Sequence, residues 1–202
     1  MEKHFVSNNP GSARMFKRDW MEPFSKVHYS VPLIIYIPVI GFFLYQSALF
    51  IHPWYFIPLL YAGGVFLWSL TEYLLHRFLF HWIPQGKFGA RMHFIFHGVH
   101  HDYPNDAMRL VMPPVMSVTL AVLFYFLFQL ALGSTMVSPF FSGFVSGYLF
   151  YDISHYAIHH ASVKNKFWVK LKTHHMIHHY KDGNNGFGVS SNFWDKVFKT
   201  NF

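Results

Sequence analysis

The chain is 202 residues long, 52% hydrophobic and 21% aromatic, with a formal net charge of +7 and no cysteine. That length admits one domain or one compact bundle, and the lack of cysteine excludes disulfides, thiolate nucleophiles, iron–sulfur clusters and thiolate-ligated haem or zinc. The sixteen basic residues are dispersed between apolar segments, which argues against a nucleic-acid partner and for an anionic membrane surface.

The first 30 residues contain no apolar core of signal-peptide length, so the N-terminus is expected to stay on the side where it is made. Four stretches then approach the roughly 20 apolar residues that a membrane helix requires. They run from Val31 to Ile51, Trp54 to Phe80, Pro114 to Leu132 and Pro139 to Ile158. Only "HP" separates the first two and "GSTMVS" the last two, so each pair reads as a helical hairpin. Buried helices of a soluble core would alternate with polar faces, and these do not.

Five Lys or Arg precede the first span, four lie between Arg77 and Arg109, and seven follow His160; the two tight turns carry none. The positive-inside bias places both termini and the central segment in the cytoplasm. The expected architecture is an all-α integral membrane protein: four transmembrane helices in two hairpins beneath a cytoplasmic, helical, histidine-rich cap. Residues 1–202 form a single membrane-embedded domain, with metal-binding segments at 76–112 and 152–202. Gly143 and Gly147, a small-xxx-small pair, permit close helix packing, although ordinary core packing accounts for them equally.

Ten of the sixteen histidines fall into four spaced groups, all on the expected cytoplasmic face. His76 and His81 form H-x4-H, and His155 and His159 form H-x3-H. His97, His100 and His101 form one H-x2-H-H, and His175, His178 and His179 another. Residues three or four apart share a helix face, so His155 and His159 can address one centre and each H-x2-H-H can present three imidazoles. Five-residue spacing turns His76 and His81 about 140° apart on a straight helix; that pair needs a helix end or bend, or serves two metals. A shift of 78 positions carries His81, His97, His100 and His101 onto His159, His175, His178 and His179, so the chain reads as two tandem units.

A lone histidine is usually a satisfied polar side chain, but packing gives no reason to choose imidazole ten times on one face. Ten nitrogen donors, against three or four per zinc, imply two metals. His4, His28 and His52 lie outside the groups; His93, His160 and His174 adjoin them but break their spacing and read as neighbours. Glu72 precedes His76 by four and Asp152 precedes His155 by three, which suits carboxylates that orient ligands. Asp102, Asp106 and Asp182 read as solvated loop charges.

At "HRFLFH", "FHGVHHDYPNDAMRLVMPP", "YDISHYAIHH" and "HMIHHYKDGNNGFGVSSNFWDKVF" the sequence resembles the fatty acid hydroxylase superfamily, the sterol desaturase-like membrane di-metal oxygenases. The likeness is greatest to the fatty acid 2-hydroxylase branch and covers most of the chain from the second span onward. Histidine boxes alone would also fit sterol and carotenoid oxygenases. The resemblance implies metal ligands at the same ten histidines, a Tyr-Asp pair at Tyr151 and Asp152, and no catalytic residue beyond ligands and their neighbours. It implies two metal ions, iron in the active enzyme, with zinc equally suited to all-imidazole ligation and able to occupy a purified form.

The implied reaction is O2-dependent hydroxylation of a long-chain acyl lipid, with electrons from a separate cytochrome b5-like or ferredoxin-like donor. A centre just above the bilayer meets carbons near the headgroup first, which favours the carbon next to the carbonyl. Thirty residues before the first span are too few for the haem domain that eukaryotic 2-hydroxylases commonly carry, so a bacterial inner membrane is expected, or the endoplasmic reticulum in a eukaryote. Two rivals stand beside this reading. A desaturase or sterol-type oxidase shares the boxes, and a metal transporter would place polar ligands at mid-span, where these spans have no charge or histidine.

Overall fold

The computed structural model describes residues 5–7, 9–11 and 14–202; His4 lies outside them. Among the described residues the architecture is helical throughout. A short 3-10 turn at Glu22–Ser25 leads into α1 (Ser30–Phe50), followed by α2 (Phe56–Leu74), which continues as a π-helical turn over Leu75–Phe80. Next come α3 (Gly86–His93), a second π-turn (Phe94–Gly98) and α4 (Val99–Asp102). The rest is α5 (Pro114–His160), α6 (Lys166–Tyr180) and α7 (Phe193–Val197).

The third and fourth expected spans form one 47-residue element, α5, folded back on itself at Gly133. There φ is 78° and ψ 168°, a conformation open to glycine and strained for other residues. The reversal therefore needs one residue where a six-residue turn was expected. Ring pairs across it confirm the antiparallel return: Phe128 with Phe140 at 5.1 Å and Phe124 with Phe144 at 4.8 Å. Pro114 opens α5 at a position where its missing N–H costs nothing.

The second arm of α5 is the centre of the bundle, packed by α1 and α2. Small residues set that approach. A Cβ on Gly143 would fall 1.9 Å from the Tyr61 carbonyl oxygen, and one on Gly64 2.0 Å from that of Phe140. Beside this contact Trp68 meets Phe144 and Tyr148 edge-on at 5.2 and 5.3 Å, and Tyr148 meets Tyr36 at 5.0 Å.

Outward faces are apolar as well. Ile34, Phe42 and Tyr45 of α1, and Val122, Phe126 and Leu130 of α5, are all at least half exposed, a large apolar surface that calls for a non-aqueous neighbour. Both α1 and α5 are long and apolar enough to cross a membrane. The 21 residues of α1 extend about 30 Å, the thickness of a bilayer's hydrocarbon core. At one end of this bundle the two π-turns, α4, α5 and α6 deliver the histidines.

Candidate metal centre

The structure gathers the ten histidines into two groups of five, each with its ring nitrogens within 4.8 Å of one another. His76, His81, His97, His101 and His178 form the first centre; His100, His155, His159, His175 and His179 form the second. The grouping differs from the sequence pattern in one respect. Each H-x2-H-H splits, its outer pair joining one centre and its middle member crossing to the other. The cause is helical geometry: positions four apart share a face, whereas adjacent positions such as His100 and His101 point about 100° apart. His100 and His178 are counterparts under the 78-residue shift, so the two halves exchange equivalent histidines.

The π-turn resolves the five-residue spacing of His76 and His81. The His81 N–H donates to the His76 carbonyl at 3.2 Å, an i→i+5 bond. This wider turn returns both rings to one side, with their Nε2 atoms 3.3 Å apart. His76 and His101 each lie 3.0 Å from His97 through the same atoms, and His81 and His178 are 3.0 Å apart.

In the second centre the Nε2 of His175 lies 3.0 Å from those of His155, His159 and His179, and His155 is 2.9 Å from His100. An imidazole nitrogen carries at most one proton, so His175 cannot satisfy three such neighbours by hydrogen bonding. Converging lone pairs at this spacing match the edges of a coordination shell whose metal–nitrogen bonds are about 2.0–2.1 Å. A cation fits each group chemically.

Protonation agrees. Burial, reinforced by neighbouring imidazoles, pushes the basicity of His97, His100, His101, His175 and His179 well below the usual histidine range. These rings are neutral at physiological pH, the form a metal requires.

Backbone carbonyls hold the far side of the first centre. His76 Nδ1 donates to the Phe187 carbonyl at 2.5 Å and His178 Nδ1 to that of Asn185 at 2.6 Å, which leaves each Nε2 lone pair facing the centre. The loop carrying those carbonyls is fastened by two carboxylates. Asp195 accepts from the amides of Phe187 and Gly188, both at 2.8 Å, from Thr200 Oγ1 at 2.9 Å and from His174 Nε2 at 3.1 Å. Glu72 accepts from the amides of Val189 and Ser190, both at 2.8 Å, and from the Ser190 hydroxyl. Burial alone would raise the Asp195 carboxyl, but its four donors outweigh that and hold it below the usual carboxylate range.

Glu72 thus fastens the loop that holds His76, without a hydrogen bond to His76 itself among the described residues. Asp152 accepts from the Met112 amide at 3.2 Å and the Tyr148 hydroxyl at 2.9 Å. Tyr151 stacks on His155 with centroids 5.8 Å apart. His174 is buried against Asp195 and outside both centres, while His28, His52 and His160 are exposed. His93 packs beside Gly98 and belongs to neither centre.

One expected loop charge is misplaced. Asp106, read as solvated, is 5% exposed, with its carboxylate 3.5 Å from Arg109 Nε and accepting from the Met108 amide. Its tight turn withdraws it from solvent. Asp102 and Asp182 are half-buried, the latter capping Asn184 and Asn185. Asp195 and Arg109 are the residues that spacing could not single out, because Asp195 draws its partners from irregular backbone and α6 and Arg109 draws its own from Glu22 and Ser25.

A cavity of about 510 Å3 opens beside both centres, reaching His97 of the first and His100 and His155 of the second. Tyr151, Asp152, Ile95 and Val99 line it near the histidines. Its walls are otherwise mostly apolar, and its size is typical of small-molecule sites.

A family model for fatty acid hydroxylases matches residues 61–200. The chain is 40% identical over 194 residues to the ceramide very long chain fatty acid hydroxylase scs7 of Schizosaccharomyces pombe, covering 94% of this chain and 55% of the yeast protein. It is 37% identical over 188 residues to the dihydroceramide fatty acyl 2-hydroxylase FAH2 of Arabidopsis thaliana, covering 93% of this chain and 79% of that one. The solved structure of full-length scs7p, in which only the hydroxylase domain is visible, superposes with a TM-score of 0.86 at 40% identity, covering 91% of this chain and 70% of that one. The chain spans about half the length of the Schizosaccharomyces pombe protein and of the ceramide very long chain fatty acid hydroxylase SCS7 of Saccharomyces cerevisiae, 55% and 50% respectively. On fold, histidine centres and sequence together, the chain belongs to the fatty acid hydroxylase family.

Proposed function

We propose that this chain is an O2-dependent hydroxylase of long-chain acyl lipids acting at carbon 2. One observation carries the reading: two buried five-histidine centres share an apolar cavity that reaches ligands of both. The names of the relatives, a ceramide very long chain fatty acid hydroxylase and a dihydroceramide fatty acyl 2-hydroxylase, favour an acyl amide as substrate. In the balanced reaction one oxygen atom of O2 enters the C–H bond beside the carbonyl. The other leaves as water, taking two electrons and two protons from outside.

His76, His81, His97, His101 and His178 would hold one metal, and His100, His155, His159, His175 and His179 the other. Redox-active iron supplies the O2 chemistry when bound, whereas zinc suits the same donors without it. The protein's part is to keep ten imidazoles neutral and aimed inward, to exclude water, and to align the acyl chain in the cavity. Phe187 and Asn185 fix the tautomers of His76 and His178, while Tyr151 and Asp152 shape the wall beside His155.

In the membrane, α1, α2 and the two arms of α5 serve as four spans in two hairpins, with both termini and the histidine cap on the cytoplasmic side. The spread of Lys and Arg and the apolar outer faces support this. A redox donor delivers the electrons at that face.

The test is expression in a host lacking 2-hydroxy lipids, followed by mass spectrometry of hydrolysed acyl chains. The expected result is a 2-hydroxy acid that depends on the chain, on iron and on O2. No hydroxy acid at full iron loading with a competent donor would overturn the proposal; a new double bond would place the chain with the desaturases.

A further inference from the structure

The outer wall of the cavity is formed by the segment before α1. Met15, Phe16, Trp20, Met21 and Phe24 all line it, together with His97, His100 and His155. The single 3-10 turn at Glu22–Ser25 is the only helical structure in this strap among the described residues, so side-chain ties must fix its position.

Those ties converge on two residues. The Glu22 carboxylate accepts from the strap's own Met15 and Phe16 amides at 3.0 and 2.8 Å, and from Arg109 Nη2 at 2.7 Å. Arg109 Nη1 donates to Ser25 Oγ at 3.0 Å. The Val27 amide closes the strap's far end on the Met108 carbonyl at 2.7 Å. Arg109 is buried, its side chain 2% exposed, and its fork reaches strap and loop together. The next residues of that loop, Leu110 to Met112, also line the cavity. Trp20 and Phe24 are 64% and 65% exposed and stand at its outer edge.

We infer that the strap is the specificity wall of the acyl site, and that Arg109 and Glu22 are the positioning pair that sets its distance from the histidine centres. This rests on reading the cavity as the acyl site. The substrate chain runs beneath Met15, Phe16 and Met21, and enters past the exposed Trp20 and Phe24 from the lipid surface. Neither member of the pair belongs to either histidine centre. Loosening the strap should therefore alter which chains are accepted and leave metal content intact. A buried Arg whose fork divides between Glu22 and Ser25 of an otherwise irregular segment suits this task, because its planar geometry fixes orientation as well as distance.

Two measurements test the proposal on the full chain. In the first, Met21→Ala and Met21→Trp are compared with the parent on acyl substrates of increasing length. We expect opposite shifts in relative kcat/KM between long and short chains, each of about tenfold, the scale at which an apolar pocket discriminates. Arg109→Met should flatten the profile and raise KM more than it lowers kcat, and Arg109→Lys should recover part of it. Metal content by mass spectrometry should match the parent in every variant.

In the second measurement, a long-chain lipid bearing a photoactivatable diazirine in its tail is cross-linked to the protein. Labelling should map to residues 15–24, and competing acyl lipid should suppress it. Labelling confined to the outer faces of α1 and α5, or identical length profiles in both Met21 variants, would overturn the proposal. Specific strap labelling in a protein that makes no hydroxy acid would instead refute the proposed reaction and leave the wall assignment standing.

Discussion

The two histidine centres have equivalent histidines but different backing. Behind the first, the loop from Asn185 to Ser190 presents carbonyls to His76 and His178, and four consecutive amides tie it to two buried carboxylates. Behind the second, the loop from Tyr103 to Met112 occupies the corresponding place under the 78-residue shift. There the Leu110 carbonyl approaches His155 without closing a hydrogen bond, and the Pro104 carbonyl approaches His159. Among the described residues the buried Nδ1 atoms of His100, His175 and His179 have no acceptor. This second loop instead spends its polar groups on the N-terminal strap and lines the cavity. One centre is set in a fixed cradle; the other is coupled to the wall of the cavity.

The largest effect should come from breaking the ligand exchange. His178→Ala should remove the metal of the first centre, although its chain neighbours His175 and His179 serve the second. Metal-to-protein ratio should fall from about two to about one, with hydroxylation lost. Adding His76→Ala should cost no further metal, whereas adding His100→Ala should empty both centres. If His178 and His76 instead deplete metal additively, the exchange is wrong.

Next in size is Asp195→Asn, which removes the charge that gathers the Phe187 and Gly188 amides. Loss of an outer hydrogen-bonding partner typically lowers metal affinity about 10–100-fold. Competition with a chelator should become biphasic, one equivalent released faster and the other at the parent rate. Equal acceleration of both phases would mean that Asp195 supports the whole cap and not one centre.

A pH series on the metal-free protein in detergent sharpens the same point. Because the Asp195 carboxyl is held below its ordinary value, its stabilisation is complete above about pH 4, the unfolded value, and is lost as pH falls through the lower folded value. The gap in thermal midpoint between parent and Asp195→Asn should stay constant from about pH 7 to 5 and close below about 4. A gap that instead narrows between 7 and 5 would point to histidine titration as its source.

The apolar spans and the ten histidines are legible in the sequence because both obey short periods, which a single chain records directly. How the ligands divide is not, since it depends on a π-turn that brings His76 and His81 to one side and on the divergence of adjacent His100 and His101. Nor does spacing reveal the carboxylates that matter. Asp195 stands among aromatics in "NFWDKVF", and its partners lie up to 21 positions away. Arg109 and Glu22 are 87 positions apart, a pairing that only the tertiary fold creates. Asp106 looks solvated by charge alone, whereas its turn folds the carboxylate onto the Met108 amide and beside Arg109.

The smallest and most discriminating change is Ser190→Ala. The Ser190 hydroxyl donates to Glu72, but that carboxylate keeps the Val189 and Ser190 amides as donors. Removal should therefore cost about 0.5–1.5 kcal/mol of stability, the net worth of one hydrogen bond. If the cradle is stiff and acts on the first centre alone, a small local loss should appear there: metal release from that centre should quicken by less than about tenfold, the second centre should keep its parent rate, and the acyl-length profile should not move. A changed length profile would show that the cradle communicates with the cavity, and the contrast between a fixed centre and a coupled one would collapse.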